Sequence, residues 1–547
     1  PTPKLKDVLR EIENEQTVQP ATGWLEDLKP YLAPDLWRKL RENENHRGLL
    51  NNALERVQSL HYIFSTYLPG DLVEEKIANP KAEPSGKMTS GCLLFSDVSG
   101  FTALSEKLAE LGPRGAEYLT DVINKYFVEM VDILSRSNGT LLKFAGDAIL
   151  AFFPEQTNGG HALWAARAAL RMMRAMQKFA SLTDNPFKQP VAVAMKVGLS
   201  AGNFLAASVG SEKRMEYALI GGAVSQTLQA EGCAKPGQIA LNRTAANLLS
   251  AAYEIAEIKG KPGFYLLNPG KDETLDEYEI TQTRKRRVRN SAVQWDLNKE
   301  EIKSEIAKEL VQVKALVPYL ASELVERIVA HAQQRRVRSE FRPTAVMFCN
   351  FTGPELLLEL WGEEGAKRVT RILSEYFSAV NEVVNRFGGI VSRIDPYTQG
   401  TKLLALFGAP VAHEDDPQRA VNAALEMNNA LSELRRNWAE EFSRILPADS
   451  DKTFIEHRVG ITFGDTFAGL AGASTRREYT VMGDEVNLAA RLMSAARPGQ
   501  ILISRSVWEA ADAYYVTRAL PAVRVKGKKN PIEIRQMEGP REDTLLN

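Results

Sequence analysis

Apolar and polar positions follow two periods along this chain, and their order is written twice. Residues 93–95 (LLF) form a short apolar run that leads to Asp97, with a Gly-containing turn, SGFT, close behind it. A helical segment follows, TALSEKLAELG. A second, EYLTDVINKYFVEMVDILSRSNG, keeps its apolar residues at helical spacing until Asn-Gly stops it. LLKF, a tight AGD turn and AILAFF predict a hairpin with Asp147 in its turn. The alanine-rich helical segment HALWAARAALRMMRAMQKFA, the strand VAMKVGLSAG, a further strand pair and another helix complete the unit. Strands that alternate with helices, with hairpins among them, predict an α+β fold with a mostly antiparallel, ferredoxin-like sheet.

The same order returns at an offset of about 253 residues. VMFCNFTGPE repeats LLFSDVSGFT, with Asn350 in the place of Asp97. GGIVSRIDPYTQGTKLLALFGAP repeats the hairpin segment NGTLLKFAGDAILAFFP and adds four residues to it. VGITFGDTFAGLAGAS repeats VGLSAGNFLAASVGS, and EYTVMGDEVNLAARLMSAARPGQILI repeats EYALIGGAVSQTLQAEGCAKPGQIAL. So long a period predicts two domains of about 190 residues from one duplicated ancestor, not a solenoid. The expected division is a helical region at 1–85, a first domain at 86–268, a linker with a long helix at 269–340 and a second domain at 341–540. Residues 1–66 read as helices with polar faces, and 299–335 as one long helix. TRKRRVRN (283–290) reads as a solvated basic part of the linker.

Composition narrows the function class. With 44% apolar and 25% charged residues the 547-residue chain is ordinary globular protein. A net charge of -1 sets up no field for nucleic acid or an anionic membrane. No apolar run approaches the roughly 20 residues that span a bilayer, and no signal-peptide pattern opens the chain. Three isolated cysteines argue against disulfides or a zinc site, and six scattered histidines against a histidine-held metal. A cytoplasmic protein without a membrane span or a nucleic-acid partner is expected.

The candidate chemistry lies in the acids of the first copy. Asp97 near the end of a strand and Asp147 in a hairpin turn would present paired carboxylates at one sheet edge, hard oxygen ligands of the kind Mg²⁺ takes together with substrate phosphates. Backbone N–H groups at Gly100, Phe101 and Thr102 would make an anion site for a triphosphate.

FSDVSGFTALSEKL and LLKFAGDAILAFF resemble the metal-binding segments of class III nucleotidyl cyclases, and EYTVMGDEVNLAARL resembles their base and transition-state segment. The resemblance covers both repeats, and the tandem layout is most similar to the catalytic region of soluble adenylyl cyclases. It implies two palm-type domains packed head to tail as an intramolecular pseudo-heterodimer, with the sites between them and the protein functional as a monomer. It implies ATP as substrate, cyclic AMP and pyrophosphate as products, and two Mg²⁺ or Mn²⁺ ions as cofactors. Asp97, Asp147 and Val98 would hold the metals. Ser99, Gly100, Phe101, Thr102 and Lys526 would meet the phosphates, with Lys528 as the fallback. Asn487 would orient the ribose and Arg491 the developing charge, while Arg393 and Thr480 would read the base.

The division of residues explains the altered repeat. The first copy keeps Asp97 and Asp147 where the second has Asn350 and Thr401, and the second keeps Thr480, Asn487 and Arg491 where the first has Ala218, Ser225 and Gln229. One composite site is expected to work and its twin to be degenerate, a candidate pocket for a small regulator. Related soluble cyclases hold bicarbonate there with a Lys and an Arg. Lys143 matches the Lys, but Leu228 stands in the place of the Arg, which argues against bicarbonate. Arg393 departs from the family's base-reading Lys, so cyclases of CTP, UTP or GTP stay open as alternatives, as does a nucleotide-binding regulatory pseudoenzyme.

Overall fold

The computed structural model describes residues 24–81, 83–100, 104, 107–108, 110–157, 159–177, 179, 193–270, 273–280, 297–331, 340–445, 455–511, 514–523 and 531–541. Residues 1–23, part of TALSEKLAELG and the basic run 283–290 lie outside them. The chain forms two compact units. One gathers the helices before residue 82 and those between 299 and 331; the other holds both repeats.

In the helical unit, Arg47–Ser65 pairs with Lys299–Leu316, and His61 Nδ1 lies 2.6 Å from Glu309 Oε2. Asn298 and Glu301 close a capping box at the start of the second helix. The run expected as one long helix is two, Lys299–Leu316 and Ser322–His331, joined through a 3₁₀ turn at Val317–Tyr319. Pro318 explains the break, since it has no N–H to donate and its ring crowds the preceding turn.

In the other unit each repeat builds one eight-stranded sheet. The first contains β1 (Ser85–Ser99), β2 (Thr140–Ala145), β3 (Ala148–Pro154), β4 (Ala194–Ser211), β5 (Arg214–Ile220), β6 (Ile239–Asn242), β7 (Glu254–Glu257) and β8 (Phe264–Asn268). The second contains β9 (Glu340–Thr352), β10 (Ile390–Pro396), β11 (Thr401–Phe407), β12 (Glu456–Ala473), β13 (Arg476–Met482), β14 (Ile501–Ser504), β15 (Tyr515–Val523) and β16 (Ile532–Pro540). Strand orders match, β2-β3-β1-β4-β6-β8-β7 against β10-β11-β9-β12-β14-β16-β15, with β5 on β4 and β13 on β12. Pairing is antiparallel except between β4 and β6 and between β12 and β14. These are the two like domains that the repeat implied, with the paired sheets that the resemblance led one to expect.

The far ends of the long strands β4 and β12, paired there with β5 and β13, reach the other copy. Leu205, Ala207 and Val209 of β4, with Ala218 and Ile220 of β5, are buried in the core of the second copy. Phe467, Ala471 and Ala473 of β12, with Met482 of β13, are buried in the core of the first. Neither core is complete without the other copy. Reciprocal hydrogen bonds tie the edges: Arg214 Nη2 donates to the Val391 carbonyl at 3.2 Å, and Arg476 Nη2 to the Leu142 carbonyl at 3.3 Å.

A buried polar chain crosses the second core. Cys349 Sγ lies 3.3 Å from Tyr376 Oη, which lies 3.0 Å from His457 Nδ1, and His457 Nε2 lies 2.6 Å from Asn428 Oδ1. The amide oxygen can only accept, so Nε2 carries the proton and Nδ1 accepts from the tyrosine. Burial first, and the charge of Arg435 second, pull the His457 pKa down to about 3. The unfolded chain protonates this histidine near its usual value of about 6.5, so its contribution to stability is whole above that pH and is lost as pH falls toward about 3. Urea denaturation should therefore show His457→Gln less sensitive than the parent between about pH 7 and about pH 5, by up to about 1.4 kcal/mol per pH unit. Parallel curves for the two proteins would refute this.

Candidate active site

A cavity of about 110 Å³ opens between the two copies, with Asp147 and Gly146 on its first-copy wall and Phe348, Arg393, Lys402 and Asn487 on its second. The β2–β3 turn sets Asp147 there. Gly146 takes a φ of 71°, open to glycine at little cost, and Tyr126 Oη donates to the Asp147 carbonyl at 3.3 Å. Asp97 sits near the end of β1 directly across from Lys196, whose Nζ lies 3.8 Å from Asp97 Oδ2 and also meets Glu231. Val98 beside it is buried. Gly100 follows at a φ of 103°, and its carbonyl accepts from Leu104 N–H at 3.1 Å. Phe101, Thr102, Lys526 and Lys528 lie outside the described residues.

Asn487 is delivered by the helix Asp484–Ala495, which packs hard on β12. A Cβ at Gly460 would stand 2.3 Å from Met493 N and 2.4 Å from the Ala489 carbonyl, so only glycine lets the helix approach this closely. Gly198 plays the same part in the first copy, against Thr227 and Glu231. Arg491 lies one turn beyond Asn487, half-buried and next to the cavity-lining Ala490.

Asp147 is half-buried and lines the cavity. Burial first and the charge of Asp97 second push its carboxyl up to about 8. A carboxyl whose ionisation is opposed by burial and by a neighbouring acid fits a divalent cation, which would relieve it. Among the described residues no group of three or more metal-ligating side chains occurs. The second copy lacks this chemistry. Asn350 Nδ2 donates to the Gln399 carbonyl at 2.7 Å and the Thr401 carbonyl at 3.0 Å, and its Oδ1 accepts from Arg458 Nε at 3.0 Å. The amide ties down the longer hairpin and leaves no oxygen for a metal.

Arg393 and Thr480 adjoin, but they are spent on the protein itself. Arg393 Nε donates to Asp395 Oδ2 at 2.9 Å, and Nη1 to Glu478 Oε1 at 3.2 Å and to Thr480 Oγ1 at 2.7 Å. Burial lowers the arginine's proton affinity, but Asp395 and Glu478 outweigh it and the net shift is upward. The sequence reading passed over Asp395, Glu478, Lys196 and Lys402. One signal was available, because Lys402 is the lone charge in the strand TKLLALF.

The twin pocket is nearly closed. A cavity of about 10 Å³ remains among Ala218, Phe351, Tyr376 and Thr401, room for about one water. Lys143 is buried, donates to the Ile394 carbonyl and lies 3.6 Å from Glu216, which also accepts from Arg214 at 2.9 Å. Leu228 is buried on the helix Gly222–Cys233 and is not among the residues lining this cavity.

The family model for the adenylate and guanylate cyclase catalytic domain matches residues 84–273 and again 337–537. The chain belongs to this family and carries its domain twice. Adenylate cyclase type 10 of Rattus norvegicus is 24% identical over 499 residues, 88% of this chain and 28% of the relative. Its Homo sapiens counterpart is 24% identical over 472 residues, 83% of this chain and 27% of the relative. This chain thus spans little more than a quarter of the length of these relatives. The solved structure of a class III adenylyl cyclase-like ATP-binding protein from Pseudomonas aeruginosa covers 80% of this chain and 92% of its own, with a TM-score of 0.53 at 13% identity, and shares the fold. That of the adenylyl cyclase CyaB from P. aeruginosa is 30% identical and covers 38% of this chain and 99% of its own, with a TM-score of 0.33. Among the described residues no helix is long and apolar enough to cross a membrane.

The raised Asp147 carboxyl has a measurable consequence. Its protonated form favours the fold fully below the unfolded value of about 3.8, and this support is lost as pH rises through about 8. In metal-free buffer Asp147→Asn should therefore gain thermal stability over the parent, increasingly so from about pH 5 to about pH 8. Mn²⁺ should raise the melting temperature of the parent and not of the variant. Equal metal stabilisation of both proteins would remove Asp147 from the ligand set.

Proposed function

We propose that this chain is an adenylyl cyclase with one working site, which converts ATP to 3′,5′-cyclic AMP and pyrophosphate between its two copies. The observation that carries the reading is a shared cavity: Asp147 comes from one copy and Asn487 from the other. Likeness to adenylate cyclase type 10 over 83–88% of the chain supports adenine as the base.

Asp97 and Asp147 would hold two divalent ions, with the Val98 carbonyl beside them. Such ions, when bound, lower the pKa of the ribose 3′-hydroxyl and neutralise charge on the leaving phosphates. The chain's own groups supply the rest. Asn487, fixed by the helix on β12, orients the ribose so that its 3′-oxygen faces the α-phosphorus. Arg491, one turn further on, meets the charge that develops on the α-phosphate oxygens. Backbone N–H groups after Ser99 and the side chain of Lys526 meet the β- and γ-phosphates. The apolar walls at Leu119, Ile123 and Phe348 keep water from the reacting end.

The test is a product assay on the purified chain, with ATP, GTP, CTP and UTP supplied singly with Mg²⁺ or Mn²⁺. Cyclic AMP should form, and Asp97→Ala or Asp147→Ala should abolish it. Asn350→Ala should leave turnover per folded molecule near the parent's, although it loses about 1–3 kcal/mol of stability with its buried hydrogen bonds. Arg491→Ala should lower kcat by about 10²- to 10³-fold with little change in nucleotide affinity. Equal loss from Asp97→Ala and Asn350→Ala would overturn the one-site reading, and a different cyclic product would overturn the base.

A further inference from the structure

A buried arginine far from the cavity holds a stretch of chain that the site does not use. Arg171, on the helix Gly160–Met176, is 4% exposed. All five N–H groups of its guanidinium are spent. Nε donates to the Leu275 carbonyl at 2.9 Å, Nη1 to Ser137 Oγ at 2.7 Å and Glu279 Oε2 at 2.6 Å, and Nη2 to the Glu277 carbonyl at 2.6 Å and Glu279 Oε1 at 3.4 Å. Residues 275–280 thus lie as a strap on the first copy. Leu275 is buried in its core, and Arg174 Nη1 meets Asp276 Oδ1 at 2.9 Å. The Tyr278 ring lies against two guanidiniums, that of Arg136 at 3.6 Å and that of Arg171 at 4.4 Å. Ile280 N–H donates to the Arg136 carbonyl at 2.9 Å.

The second copy does not repeat this chemistry. AARAALRMMRAM (165–176) returns as AVNAALEMNNAL (420–431), so Glu426 stands in the place of Arg171 and Asn429 in that of Arg174. Glu426 pairs with Arg386 at 3.5 Å instead. Arg171 and its strap belong to the copy that carries Asp97 and Asp147. There the strap closes the C-terminal end of the helix Pro113–Arg136, through the Arg136 carbonyl and the buried Ser137. The same helix forms a wall of the site. Leu119 and Ile123 line the cavity, Asn124 Oδ1 accepts from Gly472 N–H of the second copy at 3.2 Å, and Tyr126 Oη donates to the Asp147 carbonyl. A packed helix is a rigid element, so a constraint on its end is felt along its length. We propose that residues 275–280 are a latch in an arginine groove, and that Arg171 is a positioning residue which sets, through this helix, the place of the Asp147 turn. The proposal rests on the cyclase reading only in taking that turn as part of the site. In chain order the latch is the first-copy end of the connection to the helices at 299–331.

Hydrogen exchange on the full chain, read by mass spectrometry, tests the latch. Tyr278→Ala combined with Glu279→Gln changes the strap alone. It should speed exchange in residues 275–280 and also in the turn at 145–148, there by about 3- to 30-fold. The second copy's hairpin, 394–403, should keep the parent's rate. Arg171→Lys keeps the charge but cannot reach five acceptors, and should reproduce the pattern. If that variant does not fold, the strap variant alone decides the question. Glu426→Gln should leave both hairpins as in the parent. The Mn²⁺ concentration that gives half of the full thermal stabilisation should rise in the strap variant by the same factor as the exchange rate of the turn. Faster exchange confined to 275–280 would overturn the proposal, since the strap would then only cover surface. An equal rise in both hairpins would overturn it too, as a general loosening of the fold. A parent that gains no stability from Mn²⁺ would defeat the metal reading of Asp147, whereas the exchange pattern would still decide the latch.

Discussion

The structure depends on the exchange of strand ends between the two copies. The far ends of β4 and β12 stay paired in their own sheets but bury apolar side chains in the core of the other copy, where Arg214 and Arg476 donate to hairpin carbonyls of the opposite sheet. Apolar surface buried in this way resembles the inside of one domain more than a contact between two. The site inherits its rigidity from this exchange. Asp147 reaches the cavity from one sheet, and Phe348, Lys402 and Asn487 from the other, so a small slip of one copy would part them.

Duplication builds two such seams, and the charges on each decide what it does. At the first, Asp97 and Asp147 push against each other and invite a cation. At the second, Asn350 turns its amide into hydrogen bonds that secure a longer hairpin, and Lys143, Glu216 and Arg214 satisfy one another beneath a cavity of about 10 Å³. A paired buried charge has no further demand to make of a ligand, whereas an unpaired one does. The same distinction separates Arg393, which is fully engaged, from Lys402, which is not.

Much of the fold was legible because repetition is a strong signal. Hydrophobic periods placed the hairpins and most of the described helices, and the duplicated order implied two like sheets. The long helix at 299–335 was misjudged because its apolar pattern continues through Pro318, where the missing N–H breaks it. Motif position singled out Asp97, Asp147, Asn487 and Arg491, of which Asp147 and Asn487 line the cavity. Position said nothing of Asp395 and Glu478, since the meeting of β10 with β13, 85 residues apart between Arg393 and Glu478, cannot be read from spacing alone.

The sequence by itself determined which residue types each copy kept: carboxylates in the first, amide and guanidinium in the second. It also determined, through Gly198 and Gly460, where a helix could lie against a strand, because the absence of a Cβ is a local property. The tertiary structure alone decided which of these groups remain available. Whether a side chain is spent depends on neighbours that arrive from distant parts of the chain. Arg393 has Asp395 on its own strand and gains Glu478 and Thr480 when β10 meets β13, and Lys402, facing the same side of the same sheet, finds no hydrogen-bond acceptor among the described residues.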